Sequence, residues 1–250
     1  MILLTFNIVD SDSSFKNREA FSAAEKLEIT IQNTNSILRS LENAEILATF
    51  FIEISLVSRL EKLIKKIVTK GHEIALLSID SPIEKIEEAK MMTEDWIGKQ
   101  IRGIRLPDHM ISFIDLHHLR FTYASLNEDT ALIFPLRRFE RKAHFTEQSG
   151  LTIFHESISR YSQIPYSDYI FQIMPFAFYQ TMVIETIKKD EFVLIYLNSW
   201  QFTDFEKYNF ALPFHKKYKT GKKLHDRLEH FLDWMNEQEI AFSRIKDFAL

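Results

Sequence analysis

The sequence predicts an α/β protein built on a parallel sheet or barrel, and three observations carry that prediction. First, short apolar β-prone runs alternate with amphipathic helical stretches from residue 2 to residue 106, with short connections. Second, a chain of 250 residues suits one large barrel or two small domains. No internal repeat, low-complexity tract or linker divides it, so a single domain over residues 1–250 is expected. Third, the few glycines and prolines punctuate the pattern: Gly71 and Gly98 fall after helical stretches, Pro82 at the start of one, and Pro107 after a strand.

Ile2 to Phe6 reads as a buried strand and runs into Asn7-Ile8-Val9-Asp10. Leu27, Ile31, Ile37, Leu38 and Leu41 fall near helical spacing and predict a helix over 20–41. Ile46 to Ile52 is a second apolar strand. Leu56, Leu60, Leu63, Ile64 and Ile67 lie on one face of a helix predicted over 55–70, with lysines on the other face. Glu73 to Ile79 is a third strand, Pro82 to Ile97 a helix, and Arg102 to Leu106 a fourth strand. Beyond Pro107 the pattern loosens. A helix is expected at 111–116, a strand at 121–125, and strand pieces of an inserted hairpin at 131–138 and 151–154. A helix follows over 175–188, a strongly apolar strand over 192–197, an amphipathic helix over 224–236, and a short strand at 241–245.

The composition excludes several function classes. A net charge of −4 with mixed signs is unlike the basic face of a nucleic-acid binder. Without cysteine there is no zinc-thiolate site, thiol nucleophile or disulfide. Neither GxGxxG nor GxxxxGK[ST] occurs. No apolar run approaches the ~20 residues of a membrane span, and the opening apolar run has no basic leader. A soluble cytoplasmic protein is the expectation.

Five segments in order carry a resemblance: Thr5-Phe6-Asn7-Ile8-Val9-Asp10, Ala48-Thr49-Phe50-Phe51-Ile52, Gly71-His72-Glu73-Ile74-Ala75, Arg102-Gly103-Ile104-Arg105-Leu106-Pro107 and Leu197-Asn198-Ser199-Trp200. Together they resemble the successive motifs of the polysaccharide deacetylase (NodB-homology) family, in particular a subgroup whose motifs read TFDVED, RGFRAP and YLHPWE. The resemblance covers nearly the whole chain and implies a distorted (β/α)7 barrel. It also implies a divalent metal held by an Asp and two His, a second Asp as base and a His as acid, which together cut an N-acetyl group from a sugar.

Carried over residue by residue, the resemblance puts the base position on Asn7, an amide that cannot take a proton at neutral pH. The carboxylate ligand falls on Asp10, which keeps its chemistry. The two metal-binding imidazoles fall on Leu77 and Ser81, of which Leu has no lone pair and Ser is a poor transition-metal ligand. The acid falls on Asn198. Arg105, the arginine that orients the base, and the aromatic Trp200 are kept. A catalytically inactive homologue with no cofactor is therefore expected, with a glycan-binding or scaffold role and with Asp10, Arg105, Asp108 and Trp200 as ligand-binding candidates. Two alternatives stay open: an active carbohydrate N-deacetylase with an altered divalent-metal site at Asp10, and a structural subunit whose pocket is filled by side chains.

Other residues read more plainly. His72 is a structural residue at a strand entry rather than a ligand. His117-His118 point apart, and His225 and His230 are five residues apart, so neither pair has metal spacing. Asp10 with Asp12 has the oxygen donors of a hard-cation site or of a solvated turn. Arg105 with Asp108 suits a sugar carboxylate or phosphate, or else an internal ion pair. Loop aromatics, among them Tyr123, Tyr161, Tyr166 and Phe171, are candidates for lining a glycan groove, and the aromatic stretch 161–174 for a homodimer contact. His215-Lys216-Lys217-Tyr218-Lys219 and Lys222-Lys223 form a small basic loop, a candidate for meeting an anionic polymer or a solvated face.

Overall fold

The computed structural model describes residues 1–9, 22–107, 112–127, 145–205 and 217–249. Among the described residues nine strands form one sheet. The elements run β1 (Ile2–Ile8), α1 (Ala23–Asn43), β2 (Thr49–Glu53), α2 (Glu61–Thr69), β3 (Glu73–Leu77), α3 (Ile83–Ile97), β4 (Gly103–Pro107), α4 (Phe113–His118), β5 (Tyr123–Asn127), β6 (Phe145–Gln148), β7 (Leu151–Phe154), α5 (Asp168–Ile173), α6 (Phe176–Ile187), β8 (Val193–Asn198), α7 (Lys222–Glu237), β9 (Phe242–Ser243) and α8 (Ile245–Phe248).

The strand order is β6-β7-β5-β4-β3-β2-β1-β8, with β9 added beside the start of β1. Every pairing is parallel except the β6–β7 hairpin. The sheet curls into an open, distorted barrel, as expected for the (β/α)7 class. Between β7, before its hairpin partner β6, and β8 at the far edge no hydrogen-bonded ladder forms among the described residues. Phe154 of β7 lies 5.8 Å ring to ring from Phe192 at the foot of β8, and the Leu194 N–H donates to Ser157 Oγ at 2.8 Å.

Strand alternation divides the side chains into two cores. Ile2, Leu4, Phe6 and Ile8 of β1 point outward under the helices, with Phe50, Ile52, Ile74, Leu76, Ile104, Val193, Ile195 and Leu197. Leu3, Phe51, Ala75, Leu77, Tyr123, Phe154 and Leu194 point into the barrel. Both faces of the strands are buried, which is why they read as continuous apolar runs.

The helices form where the apolar spacing places them. Ser22 caps α1 in a reciprocal box with Glu25. Gly71 and Gly98 take left-handed φ of 88° and 61° at the ends of α2 and α3. Three details depart from the expectation. The helix predicted over 55–70 is split: a 3-10 turn spans Ile54–Arg59, and Leu60, at φ −112° and ψ 16°, separates it from α2. The partner of β7 in the hairpin is β6, at 145–148, and the strand piece expected at 131–138 lies outside the described residues. Lastly, α5 was not foreseen, because six residues hold fewer than two turns of periodicity.

Candidate functional site

The C-terminal ends of β1, β4, β5 and β8 converge on Arg105. Inward-pointing positions on parallel strands in register supply the neighbours: Arg105 pairs with Ser125 and with Leu77, and Asn7 pairs with Asn198 and Phe51. The Arg105 guanidinium is 2% exposed. Its Nε donates to Ser125 Oγ at 3.1 Å, Nη1 to Asn7 Oδ1 at 2.7 Å and Nη2 to Thr5 Oγ1 at 3.1 Å. The Phe51 ring lies 4.0 Å beneath it and the Tyr196 ring 5.6 Å away. All three hydrogen-bond acceptors are neutral. Burial pulls the guanidinium pKa down to about 10, partly offset by the negative charge of Glu156, so it stays cationic at neutral pH.

From Arg105 a hydrogen-bonded chain runs across the mouth. Asn7 Nδ2 donates to Asn198 Oδ1 at 3.0 Å, and Asn198 Nδ2 donates to Asp168 Oδ2 at the start of α5. The two ends set the orientation of both amides. A guanidinium can only donate, so it takes the Asn7 oxygen; an ionised carboxylate can only accept, so it takes the Asn198 nitrogen. Backbone contacts hold the chain in place. The Asn198 N–H donates to Gln201 Oε1 at 3.2 Å, and Gln201 Nε2 donates to Gln172 Oε1 at 2.9 Å. Ser199 Oγ bridges the N–H and C=O of Val9. Asn33, buried in α1, ties Ser199 and Thr203 to the helix.

The expected site residues separate into groups. Asn7, Arg105 and Asn198 come together. Trp200 lies in the 3-10 turn Ser199–Phe202, 8% exposed, and belongs with Leu77, Phe51 and Val9 to the barrel-interior apolar cluster. Leu77 ends β3 inside that cluster. Ser81 is in different surroundings, in a groove of about 320 Å³ that it lines with Ser55, Ser58, Lys85 and Met92. Asp10, Asp12 and Asp108 lie outside the described residues. Among the described residues no three His, Asp or Glu side chains gather as a metal site. The donor set at Leu77 and Ser81 does not fit the divalent metal that the family resemblance implies, since one member has no lone pair and the other faces a separate groove.

Tyr123, Tyr166 and Phe171 do not line a groove as expected: each is at most 1% exposed and packs in the core. Tyr123 lies over Gly103, where an added Cβ would sit 1.9 Å from the ring; Tyr166 donates to Met182 O at 2.7 Å. Of the aromatics at 161–174, Tyr161 is the strongly exposed one. Asp168 was missed altogether. Its only signal was Ser167-Asp168, a helix-capping pair, which says nothing of where the second carboxylate oxygen points.

At the other end of the barrel, His72 Nδ1 accepts from the Ala48 N–H at 3.2 Å and the ring packs edge-on to Phe50. Its neighbour Glu73 is buried and accepts from Thr49 Oγ1 at 2.7 Å, Tyr123 OH at 2.9 Å and the Lys246 N–H at 3.0 Å. Burial pushes the Glu73 carboxyl above its ordinary range, while those donors hold it back.

No protein-family model and no curated protein matches the chain. Solved structures do, and the three that follow each match along 99% of it. A CE4 family pseudoenzyme from Bacillus anthracis aligns at 11% identity with a TM-score of 0.51. A probable polysaccharide deacetylase from Pseudomonas aeruginosa aligns at 12% identity with a TM-score of 0.61 over 89% of its length. Puue allantoinase aligns at 13% identity with a TM-score of 0.65 over 88% of its length. The chain spans 64% of the length of the pseudoenzyme. At such identities the likeness concerns architecture, and the architecture of this chain is that of the polysaccharide deacetylase barrel.

Proposed function

We propose that this protein is a non-hydrolysing deacetylase-fold protein that binds glycan at the barrel mouth in polysaccharide metabolism. One observation carries the reading. The residues that fall on the base and acid positions, Asn7 and Asn198, are hydrogen-bonded to each other and tied at their ends to Arg105 and Asp168. Neither amide can shuttle a proton at neutral pH. Binding falls to the half-buried groups at the rim, since Arg105, Asn7 and Trp200 are themselves buried: the Asn198 amide and the Asp168 carboxylate suit hydroxyl and acetamido groups, and the half-buried Tyr169 and Tyr196 suit a sugar's apolar face. A chain without cysteine supports a reducing, cytoplasmic location, and the exposed Tyr161 supports self-association.

The test joins an acetate-release assay on acetylated chito-oligosaccharides, calorimetric titration with the same oligosaccharides, and metal analysis of the purified protein. Saccharide binding without acetate release is expected. Turnover abolished by Asp10→Ala, or a stoichiometric transition metal, would favour a hydrolase with an altered metal site. A filled-pocket structural subunit is the second reading, favoured by the contiguous packing of Phe51, Leu77, Val9 and Trp200; it predicts no saccharide binding.

A further inference from the structure

At the end of the barrel opposite the mouth, a small cleft of about 70 Å³ opens where the N-terminal ends of β3 and β4 meet α8. His72, Glu73, Lys99, Arg102, Arg244 and Lys246 supply its polar lining. Arg244 is held by three hydrogen bonds: Nε and Nη2 donate to Asp247 at 2.6 and 3.0 Å, and Nη1 donates to Gly71 O at 2.5 Å. The side chains of Lys99, Arg102 and Lys246 make no hydrogen bond or ion pair among the described residues. The nearby carboxylates are committed elsewhere, Asp247 to Arg244 and Glu73 to Thr49, Tyr123 and the Lys246 backbone.

His72 is 4% exposed, and since its Nδ1 accepts from Ala48, its proton sits on Nε2. Burial, with Lys70 and Arg244 close by, draws its pKa to about 4, so at neutral pH it is an uncharged donor. The Lys246 ammonium is pulled down by burial and then by the charge of Arg244. Glu73, which lines the same cleft, and Asp247 partly offset that effect on Lys246, but Lys99 and Arg102 have no ion pair among the described residues, and the excess of cations around one cleft creates a focused positive potential. The volume, about twice the share of one liquid water, suits a single compact anion.

We propose that this cleft binds a phosphate-class oxyanion, free or as the terminal group of a phosphorylated sugar, held by Lys99, Arg102 and Lys246 with the His72 Nε2–H as a neutral donor. The site stands on its own residues and is independent of the glycan reading.

The test is calorimetric titration and thermal unfolding of the full chain with inorganic phosphate, with a hexosamine 1-phosphate, and with sodium chloride at matched ionic strength. A saturable rise in Tm with phosphate and none with chloride is expected. Arg102→Ala and Lys246→Met each weaken binding about tenfold, while Lys85→Ala, in the separate groove beside Ser81, leaves it unchanged. Tighter binding of the sugar phosphate identifies the terminal group as the source; equal or weaker binding identifies the free ion. An equal rise with chloride, or wild-type affinity in both Arg102→Ala and Lys246→Met, overturns the proposal. Arg102 is exposed, so its variant separates a binding defect from a folding defect.

Discussion

Asn7 and Asn198 stand side by side on adjacent parallel strands and are joined amide to amide, Nδ2 to Oδ1, at 3.0 Å. The contact is the middle link between a buried cation and a carboxylate. Arg105 and Asp168 share no hydrogen bond, yet each polarises the amide next to it, and the two amide dipoles align head to tail between them. Charge-assisted bonds at both ends make such a chain stronger than two neutral amide contacts. Neither amide carries a mobile proton at neutral pH, and the pair holds a fixed polar bridge.

Asn7→Leu keeps the volume and removes both links. Arg105 Nη1 loses its 2.7 Å acceptor in a fully buried site, and Asn198 Oδ1 loses its donor. Leaving a buried charge underserved costs ~3 kcal/mol. Urea unfolding should show that loss at unchanged m-value. Asn7→Asp should be milder, because a carboxylate there still accepts from Arg105. Equal losses in the two variants would show that the guanidinium does not depend on this acceptor.

Much of this arrangement was legible in the sequence. Two-sided burial leaves an apolar run, so the strands declared themselves, and the order of the short motifs placed Asn7, Arg105 and Asn198 at corresponding strand ends. The amide pairing itself was not legible. It depends on the register between β1 and β8, which lie 191 residues apart, and register leaves no local trace. Asp168 was hidden for a second reason: it sits on a six-residue helix, too short for periodicity to show, and reaches the mouth only through tertiary packing. The inward aromatics misled because a barrel interior and a binding groove call for the same residue types.

Gly103→Ala tests the floor of the barrel. An added Cβ would stand 1.9 Å from Tyr123 Cζ and 2.2 Å from its hydroxyl, so the ring must leave, taking with it the 2.9 Å bond to Glu73. A loss of ~3 kcal/mol or more is expected from overpacking plus a stranded buried acceptor. Adding Tyr123→Ala should remove the clash, so the double variant should be less destabilised than the sum of the singles. Strict additivity would mean that the ring is not what excludes the methyl group.

His72 sets a pH dependence whose sign follows from its environment. Its folded pKa is about 4 against 6.5 in the unfolded chain, so between those values the unfolded state binds the proton and the folded state does not. Stability from this group is therefore complete above pH 6.5 and is lost as pH falls toward 4, by ~3 kcal/mol in all. Glu73 opposes it: its raised pKa means that the folded state holds a proton more readily, so its contribution grows as pH falls. His72→Gln retains an acceptor for the Ala48 N–H but no titration. Subtracting its stability curve from that of wild type should leave a rise of this size between pH 4 and 6.5; a flat difference would mean that the imidazole titrates normally.

The fourfold variant Asn7→Asp, Leu77→His, Ser81→His, Asn198→His asks whether this barrel end has the geometry to hold a metal once ligands are supplied. Leu77 already points into the barrel at the end of β3, in register with Arg105, so an imidazole there enters the same space. An imidazole at 198 would meet Asp168, whose carboxylate now accepts from the Asn198 amide and would then accept from a ring N–H, fixing the tautomer. Position 81 is the demanding one, since Ser81 now faces the groove beside Ser58 and Lys85 and the loop 78–82 must turn its side chain toward the mouth. Zinc titration followed by calorimetry should show one site per chain in the fourfold variant and a weaker one when position 81 keeps its serine, by roughly the 10–100-fold that disturbed metal shells lose. Equal affinity with and without the imidazole at 81 would show that the loop holds its present course and that position 81 cannot contribute a ligand.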